Sequence, residues 1–115
     1  MKVNLVTTIV AVIIAGLLAF LFYTISKNDD TALATAIAGF LTHGVILGGM
    51  MGMQLQDEKH NTNLRLASTI FIVVAFAFHL IAALSGMSAS FIIIFAGLIL
   101  ISYVLTAYSI AKVKM

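Results

Sequence analysis

Charged residues divide the chain into long apolar segments. No charge occurs between Lys2 and Lys27, between Asp30 and Asp57, or between Arg65 and Lys112. A helix needs about 20 apolar residues to cross the hydrocarbon core of a bilayer. The first two segments each hold one such helix, and the third holds two, separated by the turn sequence SGMS. The pattern therefore predicts spans at about 5–26, 32–54, 64–84 and 89–111.

The apolar runs do not alternate with polar residues at every second position, so a strand interpretation is disfavoured. Backbone groups in lipid must be hydrogen-bonded within their own segment, which favours helices. Residues 1–115 are therefore expected to form one all-α domain, a polytopic four-helix membrane bundle. Gly86 is expected to end the third helix in the left-handed conformation, and Ser88 to cap the fourth.

Composition supports an apolar environment. Of the 115 residues, 63% are hydrophobic and only 9% are charged, whereas soluble domains carry about 25% charged residues. The basic residues lie at predicted membrane edges, so a nucleic-acid partner is not expected. The chain has no cysteine, which excludes disulfides and thiolate ligands.

The basic residues also predict an orientation. An even number of spans puts both termini and the middle loop on one side, and five of the six basic residues fall on that side: Lys2, Lys59, Arg65, Lys112 and Lys114. Only Lys27 falls on the other. The positive-inside rule then predicts cytoplasmic termini, in a multi-pass protein of a prokaryotic inner membrane.

Small residues predict where two helices pack. Gly44, Gly48 and Gly52 recur every four residues on the second span, and Ala11, Ala15 and Ala19 form a similar stripe on the first. Such stripes let backbones approach closely, so we expect these two helices to pack together. The sequence leaves open whether the contact is internal or between protomers. Ile92 is expected to face lipid.

Two intramembrane histidines, His43 and His79, are the candidate site residues, since ionisable groups inside a membrane are often functional. They are either neutral residues bonded to a neighbouring hydroxyl or carbonyl, or proton-, quinone- or haem-binding groups. The backbone positions of the pair differ in depth by about 9 Å, which weakens the haem interpretation. Loop residue His60 is expected to be solvated. Deeply placed Tyr103 requires a hydroxyl partner.

No carboxylate lies within a span, and no nucleophile–base set appears. An enzyme is therefore not expected, nor is a cofactor, with haem b as the alternative. The main hypothesis is a structural or accessory subunit of a larger membrane complex. Its partners are the lipid bilayer and other integral subunits or a second copy. Alternatives are a haem- or quinone-interacting electron-transfer subunit, a small channel or transporter, and a membrane immunity protein.

Overall fold

The computed structural model describes residues 2–27, 29–54 and 58–114, without the side chains of Lys2, Gln54, His60 and residues 111–114. The predicted solvation of His60 and the predicted loop segment 55–57 therefore lie outside the described part. The elements, in chain order, are β1 (Lys2–Val3), α1 (Leu5–Ile25), α2 (Asp29–Leu47), a π-helical turn (Gly48–Gly52), β2 (Met53–Gln54), α3 (Glu58–Ser85) and α4 (Ala89–Lys114).

Four helical segments are long and apolar enough to cross a membrane: Leu5–Ile25, Asp29–Gly52, Asn61–Ser85 and Ala89–Ile110. This confirms the predicted helical architecture. The third helix begins at Glu58, six residues before the predicted start. The prediction counted only apolar residues, whereas a helix continues through polar residues beyond the membrane edge because its hydrogen bonds are internal.

Local signals explain the helix ends. Asn4 caps α1 by accepting a hydrogen bond from the Thr7 amide at 3.3 Å. Asp29 and Asp30 lie inside the first turn of α2, where the helix dipole favours negative charge. Gly86 has a φ of 71°, and the Ser88 hydroxyl accepts a hydrogen bond from the Phe91 amide at 3.4 Å, as expected for the turn between α3 and α4.

The end of α2 differs from the continuous helix predicted to residue 54. The α-helix stops at Leu47, and the glycine-rich segment Gly48–Gly52 forms a π turn. The chain then extends, and β2 pairs with β1 in antiparallel register. The Asn4 amide donates to the Gly52 carbonyl at 2.6 Å. Glycine favours helices weakly, so contacts with the start of the chain determine the conformation here.

Helix α2 is central and packs against α1, α3 and α4, and α4 also packs against α3. Two small cores hold these helices together. Toward the end that carries Lys27, Ala38, Ala82, Ile92 and Ala96 form one core. Toward the opposite end, the other core contains Ile46, Ala75 and Tyr103.

The expectation for Ile92 was wrong, because this side chain is fully buried. Helix α4 is apolar on all sides, so its sequence does not mark which face packs inward. The expectation for Tyr103 is confirmed, since its hydroxyl lies 2.7 Å from the Ser68 hydroxyl and 3.4 Å from the Ile46 carbonyl.

Candidate functional site: a buried histidine pair

The structure brings His43 of α2 and His79 of α3 into direct contact. Both side chains are completely buried. The imidazole ring centroids lie 5.2 Å apart, and the ring planes are inclined at 64° in an edge-to-face arrangement. The two residues predicted as site candidates are therefore brought together in the interior of the bundle.

This contact corrects the depth argument. The expected separation of about 9 Å compared backbone positions along the two helices. Each side chain, however, points toward the N-terminus of its own helix. Because α2 and α3 run in opposite directions, the His43 ring reaches back to the level of Gly39, and the His79 ring reaches back to the level of Ala75. The two displacements bring the rings toward each other along the bundle.

The backbone fixes the tautomer of both rings. His43 Nδ1 lies 2.8 Å from the Gly39 carbonyl oxygen, and His79 Nδ1 lies 2.8 Å from the Ala75 carbonyl oxygen. A carbonyl oxygen only accepts hydrogen bonds, so each Nδ1 carries the proton and donates it. In a neutral ring, each Nε2 then presents an unprotonated lone pair.

Neither lone pair has a hydrogen-bond partner within the described part of the chain. Nε2 of His43 and Nε2 of His79 are the buried side-chain atoms left without one. An unsatisfied buried acceptor costs about 1–3 kcal/mol. Such a group in a native structure calls for an explanation, for example a bound ion, water or chemical role. In each ring, Nδ1 has a hydrogen-bond partner, whereas Nε2 has none among the described residues.

Aromatic rings enclose the pair. The Phe22 centroid lies 5.4 Å from that of His43 and 5.5 Å from that of His79. Phe76 and Phe78 complete the enclosure, at 6.2 Å from His43 and 5.1 Å from His79 respectively. Phe22 is tilted relative to both imidazoles, whereas Phe76 and Phe78 each make an edge-to-face contact, so the surroundings of the pair are apolar and aromatic.

A close backbone approach makes this enclosure possible. A Cβ atom on Gly39 would lie 2.8 Å from Phe22 Cδ2 and 3.5 Å from His79 Cδ2. Sequence reasoning missed both Gly39 and Phe22. The available signal was a small residue four positions before each histidine, Gly39 before His43 and Ala75 before His79. A small residue at that position leaves space for the ring that folds back over it.

The enclosure also bears on haem b. Bis-imidazole ligation places the flat macrocycle between two histidine rings, whereas these rings contact each other inside a shell of phenylalanines. The residues as packed do not fit a porphyrin. Ligation by one histidine from each of two protomers would require a fully buried ring to leave the core.

The glycine and alanine stripes have mixed surroundings. A Cβ on Gly44 would lie 3.6 Å from the Ala15 Cβ, and one on Gly52 would collide with Thr8. A Cβ on Gly48 would meet nothing within 4 Å. Ala11 and Ala15 are fully buried, and Ala19 is half-buried. Gly49, which the spacing did not single out, has no room for a Cβ because the Tyr103 phenol occupies that space.

A second feature lies between α2 and α4, on the outside of the bundle. An apolar groove of about 560 Å³ is bounded by Ala34, Ala38 and Leu41 on one side and by Ile93, Gly97 and Leu100 on the other, with Asp30 at one end. A Cβ on Gly97 would meet nothing within 4 Å. Neither His43 nor His79 lines this groove.

Comparison with protein-family models, with curated proteins and with solved structures found no match. The histidine pair and the groove are therefore the features from which function is inferred.

Proposed function

We propose that this protein is a multi-pass integral membrane protein that acts as a structural or accessory subunit of a larger membrane assembly. Its outer surface supports this proposal. Large apolar side chains on all four helices are exposed, including Leu17 at 66%, Phe20 at 68%, Leu66 at 61% and Leu105 at 61%. Hydrocarbon or other transmembrane helices cover such a surface at low cost, whereas water does not.

The groove between α2 and α4 is the observation that carries the subunit proposal. Ala34, Ala38 and Gly97 contribute little side-chain volume to it. Helices in membranes associate mainly through close packing, and small residues let a partner's backbone approach. The described residues leave the groove open, so its shape suits the side chains of one further apolar helix.

We assign this groove to a transmembrane helix of another integral membrane subunit. The groove is apolar along most of its length, and its one charged residue, Asp30, lies at the end near Lys27. A hydrophobic helix therefore fits it better than an extended segment, whose backbone groups would remain without hydrogen-bond partners there. A second copy of this chain is the competing occupant.

Leucine at Gly97 tests this assignment. The substitution fills the groove without meeting any intrachain atom at the Cβ position, so we expect normal folding and loss of the partner. The measurement is the amount of a stoichiometric partner that co-purifies with the tagged protein in mild detergent. Gel filtration and circular dichroism check that the variant folds.

Two matched variants complete this experiment. Val104→Leu changes an exposed position on α4, and Gly48→Leu fills the open space beside the π turn. Both should retain the partner. Equal retention in all three variants would contradict docking in the groove, and loss of self-association alone in Gly97→Leu would assign the groove to a second copy.

The proposed orientation places both termini in the cytoplasm of a prokaryotic cell. Because the chain has no cysteine, single cysteines report it cleanly. Cysteine at Lys27 should react with a membrane-impermeant thiol reagent added to intact cells. Cysteine at Arg65 should react only after the membrane is opened. The reverse labelling pattern would show that the termini lie on the opposite side of the membrane.

A further inference from the structure

Two nitrogen lone pairs at the centre of the bundle remain unused by the fold and by the proposed function. They belong to Nε2 of His43 and Nε2 of His79, both fully buried and both without a hydrogen-bond donor among the described residues. The rings that carry them are in contact. A group that accepts electron density from both nitrogens would satisfy the pair at once.

The rings are held in the way that metal-binding histidines are held. Metal-ligating histidines almost always donate their other ring N–H to a carbonyl, a carboxylate or water, which fixes the tautomer and makes the free nitrogen more basic. The Gly39 and Ala75 carbonyls supply this support, each at 2.8 Å from Nδ1. Both Nε2 atoms are therefore prepared as neutral nitrogen ligands.

Charge restricts the ion. The acidic residues of the chain are Asp29, Asp30, Asp57 and Glu58, all outside the apolar interior of the spans. The cost of burying a bare ion grows with the square of its charge, and two neutral ligands do not offset a double charge. The phenylalanine rings around the pair carry no charge, so a single positive charge is the most that this site accommodates.

Ligand type and spacing restrict it further. Imidazole binds several first-row metals, copper among them. Copper(I) carries a single charge, and as a d10 ion it accepts two-coordinate binding by two nitrogens. Two such nitrogens lie about 4 Å apart, twice a metal–nitrogen distance of about 2 Å. With a nitrogen–metal distance of about 2 Å on each side, a linear arrangement places the two ring centroids about 6 Å apart. The centroids here are 5.2 Å apart, so the rings must separate slightly to admit the ion between them.

We propose that His43 and His79 bind one monovalent d10 metal ion of the copper(I) class through their two Nε2 atoms. Two dative nitrogen–metal bonds form, and the two ligands that the ion carried before leave it. No electron is transferred and no proton is released, because both Nε2 atoms are already unprotonated in the neutral pair. This inference is independent of the docking groove.

The test is metal binding by the full chain in detergent. Copper(I) is added without oxygen in competition with a colorimetric copper(I) chelator, and silver(I) is titrated as a redox-inert substitute. We expect one ion per chain. X-ray absorption at the copper edge should show nitrogen neighbours without sulfur.

His43→Leu and His79→Leu should each weaken binding by more than about 100-fold, beyond the 10–100-fold that loss of an outer-shell partner costs. His60→Leu is the matched histidine control. Thioethers are rival soft ligands, so the triple variant Met50→Leu/Met51→Leu/Met53→Leu controls for the methionines of the π-turn region. Both controls should bind like the parent.

Absence of binding by the parent, binding that survives both histidine substitutions, or loss of binding in the methionine variant would overturn the proposal. If a histidine variant does not fold, nuclear magnetic resonance of the ¹⁵N-histidine-labelled parent decides. Silver(I) must then shift the Nε2 resonances of both His43 and His79 while both Nδ1–H protons remain. Failure of these tests leaves the groove proposal intact, since that depends on Gly97.

Discussion

Two of the buried polar sites among the described residues differ in how completely the chain satisfies them. At the Tyr103 contact, the phenol accepts a hydrogen bond from the Ser68 hydroxyl and donates one to the Ile46 carbonyl. At the histidine pair, each ring uses Nδ1 and leaves Nε2 unpaired. The first contact is complete within one chain, whereas the second is not.

The two contacts share a construction. Each has a bulky ring packed closely against a glycine, Tyr103 against Gly49 of the π turn and Phe22 against Gly39 of α2. The difference therefore lies in polar chemistry and not in packing quality. A buried polar group that packs well and still lacks a partner calls for an explanation, and a bound ion or water is one such explanation. The Tyr103 contact provides an internal reference for a purely structural role.

The largest expected loss of stability comes from disturbing the close packing of Tyr103 against Gly49 at the reference contact. In Gly49→Ala the new methyl group collides with the Tyr103 phenol. Overpacking of this kind costs typically 1–3 kcal/mol, and we expect about 3 kcal/mol because the phenol would also leave its partners. The measurement is the free energy of unfolding in mixed micelles. Gly48→Ala is the adjacent control, and it should change stability by less than about 1 kcal/mol because its methyl group meets open space. Similar losses in both variants would contradict this account.

A smaller effect is expected from the hydrogen bonds of the reference contact. Tyr103→Phe removes the hydroxyl that Ser68 and Ile46 contact. Interhelical hydrogen bonds in membranes contribute on average about 0.6 kcal/mol and at most about 1.7 kcal/mol, so we expect a loss of about 1 kcal/mol. A double-mutant cycle with Ser68→Ala should show positive coupling. Tyr23→Phe, at a half-exposed position, is the control. Strict additivity in the cycle would show that the Ser68 contact does not stabilise the bundle.

The comparison also separates what the sequence could and could not predict. Charge-free segments predicted four helices of membrane length, because the thickness of the bilayer sets a number of apolar residues that can be counted along the sequence. The histidines could be identified as candidates because ionisable groups are rare in such segments. Their contact could not, because it depends on side-chain direction in antiparallel helices. Backbone depth alone placed His43 and His79 too far apart.

Other features depend on faces and on contacts distant in sequence. Ile92 lies on a helix that is apolar all round, so no periodicity marks its buried side. The π turn ends at Gly52, whose carbonyl accepts a hydrogen bond from the Asn4 amide. The residues of α2 alone do not predict this contact with the start of the chain. The packing roles of Gly49 and Gly39 depend on the positions of Tyr103 and Phe22, which are distant in the sequence. Regular spacing identified Gly44, Gly48 and Gly52, of which Gly48 contacts nothing at its Cβ position.

The smallest expected effect is the most informative about the histidine pair. In metal-free protein the double variant His43→Leu/His79→Leu removes two unpaired nitrogens together with two Nδ1–H bonds to the backbone. Recovery of the desolvation cost of about 1–3 kcal/mol per nitrogen offsets the lost bonds, so we expect stability within about 1 kcal/mol of the parent, or above it. The measurement is again unfolding in mixed micelles. Addition of silver(I) should then stabilise the parent and leave the double variant unchanged, because a ligand that binds only the folded state raises its stability. A loss of more than about 2 kcal/mol in the metal-free variant, with no response of the parent to silver(I), would make the pair a structural contact like that of Tyr103.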